Sequence, residues 1–158
     1  MIISDSTTII TLINIDEFKL LKKFTNNIIL TKEVYEEISI NDNIEKKFID
    51  NEIKTNYIII KSYQNRALYE EINILLDNGE SASISLALEK KLPLLIDEKK
   101  GRKLAQQLGV DIIGLVGIIR FLYIKGKIDH QQTLALIDKL NHSDFRISNK
   151  LMKLILEK

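Results

Sequence analysis

Five short β-rich apolar runs, separated by longer stretches with helical spacing, constrain this 158-residue chain most. They are MIIS at 1–4, NIIL at 27–30, YIIIK at 57–61, LPLLI at 92–96 and VDIIG at 110–114. Strands that far apart cannot close as tight hairpins; they need helical crossovers, which favour a parallel sheet. We therefore expect one α/β domain over 1–158. Its functional edge should lie at the carboxyl ends of the strands.

The helical stretches carry their own punctuation. Phe18, Leu20, Leu21 and Phe24 recur at helical spacing. Thr31 suits the N-cap of a helix through VYEEI, and ALYEEINILL reads as another helix. Asn78-Gly79 reads as a stop and turn before a helix over ESASISLALEKK. KKGRKLAQQL predicts a helix. GLVGIIRFLYIKG predicts another, stopped by Gly126, with Gly114 and Gly117 on a close-packing face. Asp129 and Ser148 are expected to cap the last two helices.

Composition narrows the chemistry. With 45% hydrophobic and 28% charged residues, the chain is that of a globular protein. Without Cys it has no disulfide framework, thiol nucleophile or thiolate metal site. The N-terminus lacks a basic segment and carries Asp5 within its apolar stretch, so no signal peptide is expected. IIGLVGIIRFLYI is interrupted by Arg120 and too short to span a bilayer, so a cytoplasmic location is expected, with no membrane partner. Residues 1–79 carry 9 basic and 13 acidic residues, and 80–158 carry 14 and 9, within a net charge of +1. That asymmetry permits polyanion binding, though solvated helix faces explain it equally well.

The acids are the most informative residues. Asp5 follows the first strand and Asp97 the fourth, so a parallel sheet brings both to one edge. Glu80 opens a helix, and Glu36 and Glu37 lie early in the Thr31-capped one. Each has a local alternative. Asp5 suits an N-cap, Glu80 complements a helix dipole, Glu36 or Glu37 suits the surface, and Asp97-Glu98 suits a cap and its neighbour. If the acids converge, two charges about 4 Å apart repel by roughly 4 kcal/mol at an effective dielectric of 20. A cation or a proton must then sit among them. Hard oxygen donors select Mg²⁺ or Mn²⁺, and such a site supports phosphate-ester hydrolysis.

Other chemistries lack their residues. His130 and His142 fall in polar sequence without metal-ligand spacing, and no phosphate-binding glycine motif occurs. Asp5-Ser6-Thr7 lacks the second Asp of an aspartyl-phosphate motif. Aromatic residues make up 6%, too few to argue base-stacking platforms.

The pieces MIISDSTTIITL, ILTKEVYEEI, LDNGESASISLALEKKLPLLIDEKKGRKLA, GLVGIIRFLYIKGKI and FRISNKLMKLIL together resemble the PIN-domain family. The similarity is to its small VapC-like ribonuclease toxins, in the branch with Gly-Glu where most members carry Asp. The first and third pieces are the more specific; together the five cover nearly the whole chain. The resemblance implies a three-layer α/β/α fold with a central parallel sheet. It implies an acidic Mg²⁺ or Mn²⁺ site that cuts single-stranded RNA. By position, Asp5, Glu37, Glu80 and Asp97 match the four acids, with Glu98 a helper and Ser6 a small polar support. Glu80 is one methylene longer than the usual Asp.

The resemblance also implies a toxin held by a small antitoxin protein, and a homodimer. Lys99, Lys100, Arg102 and Lys103 follow Asp97 and are candidate contacts to RNA phosphates, although an exposed amphipathic helix explains them too. Two rival readings stand beside a single-stranded or structured RNA substrate. One is a catalytically silent PIN-like module that binds nucleic acid or protein. The other is a phosphohydrolase for a small metabolite.

Overall fold

A computed structural model describes residues 1–41 and 43–158. In chain order the elements are β1 (Ile2–Ser4), α1 (Ser6–Asn14), α2 (Lys19–Phe24), β2 (Ile28–Thr31), α3 (Lys32–Ser39), α4 (Ile44–Lys54) and β3 (Ile58–Lys61). Then follow α5 (Arg66–Asn73), α6 (Asn78–Lys90), β4 (Leu94–Leu95), α7 (Lys99–Gln107), β5 (Ile112–Ile113), α8 (Leu115–Ile124), α9 (His130–Asn141) and α10 (Asn149–Leu156). All five strands are parallel, in the order β3-β2-β1-β4-β5.

Period-two alternation splits the strand side chains between two helical layers. Ile2, Ile28, Leu30, Ile58 and Leu95 join one core with α1 to α4 and α8 to α10. Ile3, Ile29, Leu94 and Ile96 join the other, with α5, α6 and α7. The inner strands β1, β2 and β4 are buried on both faces and read as continuous apolar runs, while the edge strands β3 and β5 are apolar but only partly buried. Burying each of these side chains contributes about 1.5–3 kcal/mol. The fourth strand is shorter than LPLLI suggested. Pro93 has no N–H for the ladder, although its carbonyl accepts from Ile3 N at 3.0 Å.

Most caps fall where expected. The side chains of Thr31, Asp129 and Ser148 each accept a backbone N–H of the helix that follows. Gly126, with φ 70°, follows α8. Two expectations are corrected. Asn78 and Gly79 form no turn; they are the first residues of α6, whose N-cap is Asp77. Gly114 is the N-cap of α8 rather than a residue within it, but it is closely packed: a Cβ there would lie 2.7 Å from Arg102, and one at the exposed Gly117 3.3 Å from Ile113. Among the described residues no helix is long and apolar enough to cross a membrane.

Candidate functional site

The chain leaves β1 toward one edge of the sheet and returns through α6 to β4, so β1 and β4 part at their carboxyl ends. Crevices at such a switch point are where open parallel sheets bind ligands. Asp5 sits there, its N–H donating to the Leu95 carbonyl at 3.0 Å.

Asp5 occupies the N-cap position of α1, but its side chain makes no capping bond. The capping alternative for Asp5 is therefore excluded. The residue is only 4% exposed and its Oδ1 meets no donor. Burial above all, then Asp77, Glu37 and Glu98 nearby, pushes its carboxyl up to about 7, against the opposing Ser6 N–H.

Glu37, not Glu36, faces inward. Its Oε2 accepts from the Ser6 hydroxyl at 2.8 Å and its Oε1 from Gly79 N at 2.9 Å. Burial raises its carboxyl, and Asp77 adds to the rise. Glu36 points to solvent, 3.8 Å from Lys32. The helical period decides between the two, because adjacent positions on α3 diverge by about 100°.

Glu80 lies in the first turn of α6, where Asp77 Oδ1 accepts its N–H at 2.8 Å. It is 6% exposed. Burial, then Asp77, Asp5 and Glu98, pushes it up to about 8. Its Oε1 lies over Gly101, 3.2 Å from where a Cβ would stand. Glu98 moves the other way. The Gly101 N–H, at 2.8 Å, chiefly holds its carboxyl below the usual range, and a bond with Glu80 contributes.

Asp97, the fourth expected acid, is held in place by donors from two elements. Its Oδ2 accepts from the Thr8 hydroxyl at 2.6 Å, and the Leu115 N–H approaches both oxygens, at 3.2 and 3.3 Å. It ties α1 to the start of α8. Gly114 leaves room for it: a Cβ there would stand 2.7 Å from Asp97 Oδ1. The acids gathered electrostatically around Asp5 are Glu37, Asp77 and Glu98, and Glu80 feels Asp5 in turn.

Sequence reasoning missed Asp77, although DNGE shows an N-cap residue three positions before Glu80. Thr8 and Gly79 were missed too, because their roles lie in partners distant along the chain. Lys99, Lys100 and Lys103 are exposed on the first turns of α7. Arg102 folds back and donates to the Ile96 carbonyl at 2.7 Å, which gives it a structural task. A cleft of about 620 Å³ opens between α3 and the start of α6, lined by Glu33, Glu36, Glu37, Asn73, Asp77 and Asn78 among others.

The donor chemistry suits a hard divalent cation: buried carboxylates, a hydroxyl, no thiol, and an orphaned Asp5 oxygen. Among the described residues, no three acidic or histidine side chains already form a closed ligand set. Against known families, the full chain, residues 1–158, matches the model of DUF3368, a PIN domain. No curated protein matches it.

Proposed function

This chain belongs to the PIN-domain family, whose members are generally nucleases that use divalent metals, and on that premise we propose that it is a metal-dependent endoribonuclease. The observation that carries the reading is Asp5: a buried carboxyl with an unpartnered oxygen, crowded by other acids at the β1/β4 switch point. Such crowding stores repulsion that a divalent cation relieves.

Asp5, Glu37, Glu80 and Asp97 are the residues that would hold Mg²⁺ or Mn²⁺, with Glu98 beside Glu80. When bound, the ion supplies charge neutralisation and lowers the pKa of water. Ser6 steadies Glu37 through its hydroxyl, and Asp97 positions α1 through Thr8. Lys99, Lys100 and Lys103 offer cations to a phosphate backbone, which orients a strand without reading its sequence. Water as nucleophile leaves 5′-phosphate and 3′-hydroxyl ends; 2′,3′-cyclic phosphate ends would exclude it.

The resemblance extends the proposal to a toxin of a type II pair, neutralised by a small antitoxin and working as a homodimer. The alternative of a silent binding module draws on one observation, the lack of a closed ligand set among the described residues.

The test is cleavage of single-stranded RNA by purified, antitoxin-free protein with Mn²⁺ or Mg²⁺, beside Asp5→Asn. Metal-dependent cleavage lost in the variant is expected. Cleavage that survives in the variant refutes the site. A folded, metal-supplied protein that cuts no RNA favours the silent module.

A further inference from the structure

We propose that Tyr63, Arg66 and Tyr69 form a stacking platform for a nucleobase of single-stranded RNA beside the acidic cleft, an inference that rests on the ribonuclease reading. The chain has five Tyr, five Phe and no Trp, a composition that pointed away from stacking. The fold nevertheless assembles a platform from three residues around the start of α5.

The Tyr63 and Tyr69 rings lie 4.6 Å apart at an interplanar angle of 12°. Among the described residues this is the one face-to-face aromatic pair. The Phe18–Phe48, Phe18–Tyr57 and Phe24–Phe121 pairs are all edge-on; the first two pack in the other helical layer, and the third carries the exposed Phe121. The Arg66 guanidinium lies over Tyr69, 5.4 Å from its centroid. Its side chain is 72% exposed, with Nε held by Glu70 at 3.2 Å. Unstacked bases bind such surfaces, on Tyr rings and on guanidinium planes alike.

The support is rigid. Glu89 Oε1 accepts the N–H groups of Gln64 and Asn65 at 2.7 and 2.6 Å, and the Asn65 side chain caps α5. The placement is also apt. Lys61, exposed, ends β3 at the carboxyl edge of the sheet. The Tyr69 hydroxyl donates to Asn78 Oδ1 at 3.2 Å, and Asn78 lines the cleft with Glu37 and Asp77. Packing accounts for Tyr69, which is 7% exposed, and for part of Tyr63, which is half-buried against the cluster of Ile72 and Leu76. The guanidinium over that ring is held by its ion pair with Glu70 and stays exposed to solvent.

The experiment measures binding of a labelled ten-residue uridine oligoribonucleotide to EDTA-treated full-length protein by fluorescence anisotropy. An oligomer of the same length and charge with abasic riboses is the comparator. The wild type should bind the uridine oligomer about five-fold or more tightly than the abasic one. Arg66→Lys, which keeps the charge but not the plane, and Tyr63→Leu, which keeps apolar bulk but not the ring, should remove most of that preference at unchanged melting temperature.

Equal binding of the two oligomers by the wild type, or a preference unchanged in Arg66→Lys, overturns the platform. If Tyr63→Leu unfolds, Arg66→Lys decides alone, because its side chain is exposed. Wild-type cleavage of RNA together with an unaffected variant refutes the platform and leaves the ribonuclease reading standing. A folded wild type that neither binds nor cuts RNA refutes both.

Discussion

The Glu37 carboxylate occupies the space where a side chain at Gly79 would stand. Gly79 N donates to Glu37 Oε1 at 2.9 Å, and a Cβ at 79 would lie 2.7 Å from Glu37 Cδ. The glycine of the Gly-Glu pair thus serves an acid 42 residues earlier. Gly79→Ala is expected to dislodge Glu37 and to cost roughly 1–3 kcal/mol of stability, the usual scale of overpacking. Urea unfolding checks the stability, and RNA cleavage should fall with it. Wild-type values in both assays would show that Glu37 moves aside without consequence.

The metal-free protein should lose stability as pH rises. Asp5 and Glu80 are raised to about 7 and about 8 in the folded chain, from ordinary values of 3.8 and 4.5. The folded state therefore holds protons that the unfolded state has released. The stability this provides is complete below about pH 4 and is lost progressively up to about pH 8. The melting temperature should drop between pH 5.5 and 8.5, and Asp5→Asn should flatten the profile and stabilise the protein at pH 8.5. The gain is at most of order 4 kcal/mol, since each tenfold difference in proton affinity between the folded and unfolded chain is worth ~1.4 kcal/mol and Asp5 rises by about three such steps. A melting temperature that climbs over this interval would contradict the buried, protonated acids.

Mn²⁺ should reverse that loss. Added at pH 8.5, it should raise the wild-type melting temperature, with a far smaller effect on Asp5→Asn, because ligand that binds only the folded state stabilises it. Equal changes in the two proteins would place the ion elsewhere.

Thr8 should matter through Asp97. Thr8→Val removes the 2.6 Å hydrogen bond to a half-buried carboxylate, and a loss of roughly 1–3 kcal/mol is expected. Thr8→Ser keeps a hydroxyl and should recover most of it. If Ser fails to rescue, the methyl group rather than the hydrogen bond is the contribution of Thr8.

Gly101 makes room for the longer acid at position 80. A Cβ there would lie 2.7 Å from Ile96 Cδ1 and 3.2 Å from Glu80 Oε1. Gly101→Ala gains about 1 kcal/mol of helix propensity, which offsets the crowding, so stability should change little. Ile96 must shift the most, and Glu80 Oε1 must give by a few tenths of an ångström, so Mn²⁺ affinity by calorimetry should fall. Unchanged affinity would remove Glu80 from the ion's ligands.

The sequence by itself determined the layers. Strands sealed on both faces are spelled in consecutive apolar residues, and caps such as Thr31, Asp129 and Ser148 act on N–H groups only a few positions away. Local physics of that range can be read from a chain, as can the placing of Asp5 and Asp97 after their strands. Tertiary structure alone decided which acids meet. Asp97 is held by Thr8 and Leu115, and Asp77 and Glu98 join Asp5 and Glu80. Gly79, read as a turn, proved to be a gap for Glu37, and Tyr63 met Tyr69. Each of these outcomes depends on the distance between side chains on different elements. That distance is set by how the sheet and helices pack, and no local pattern of residues encodes it.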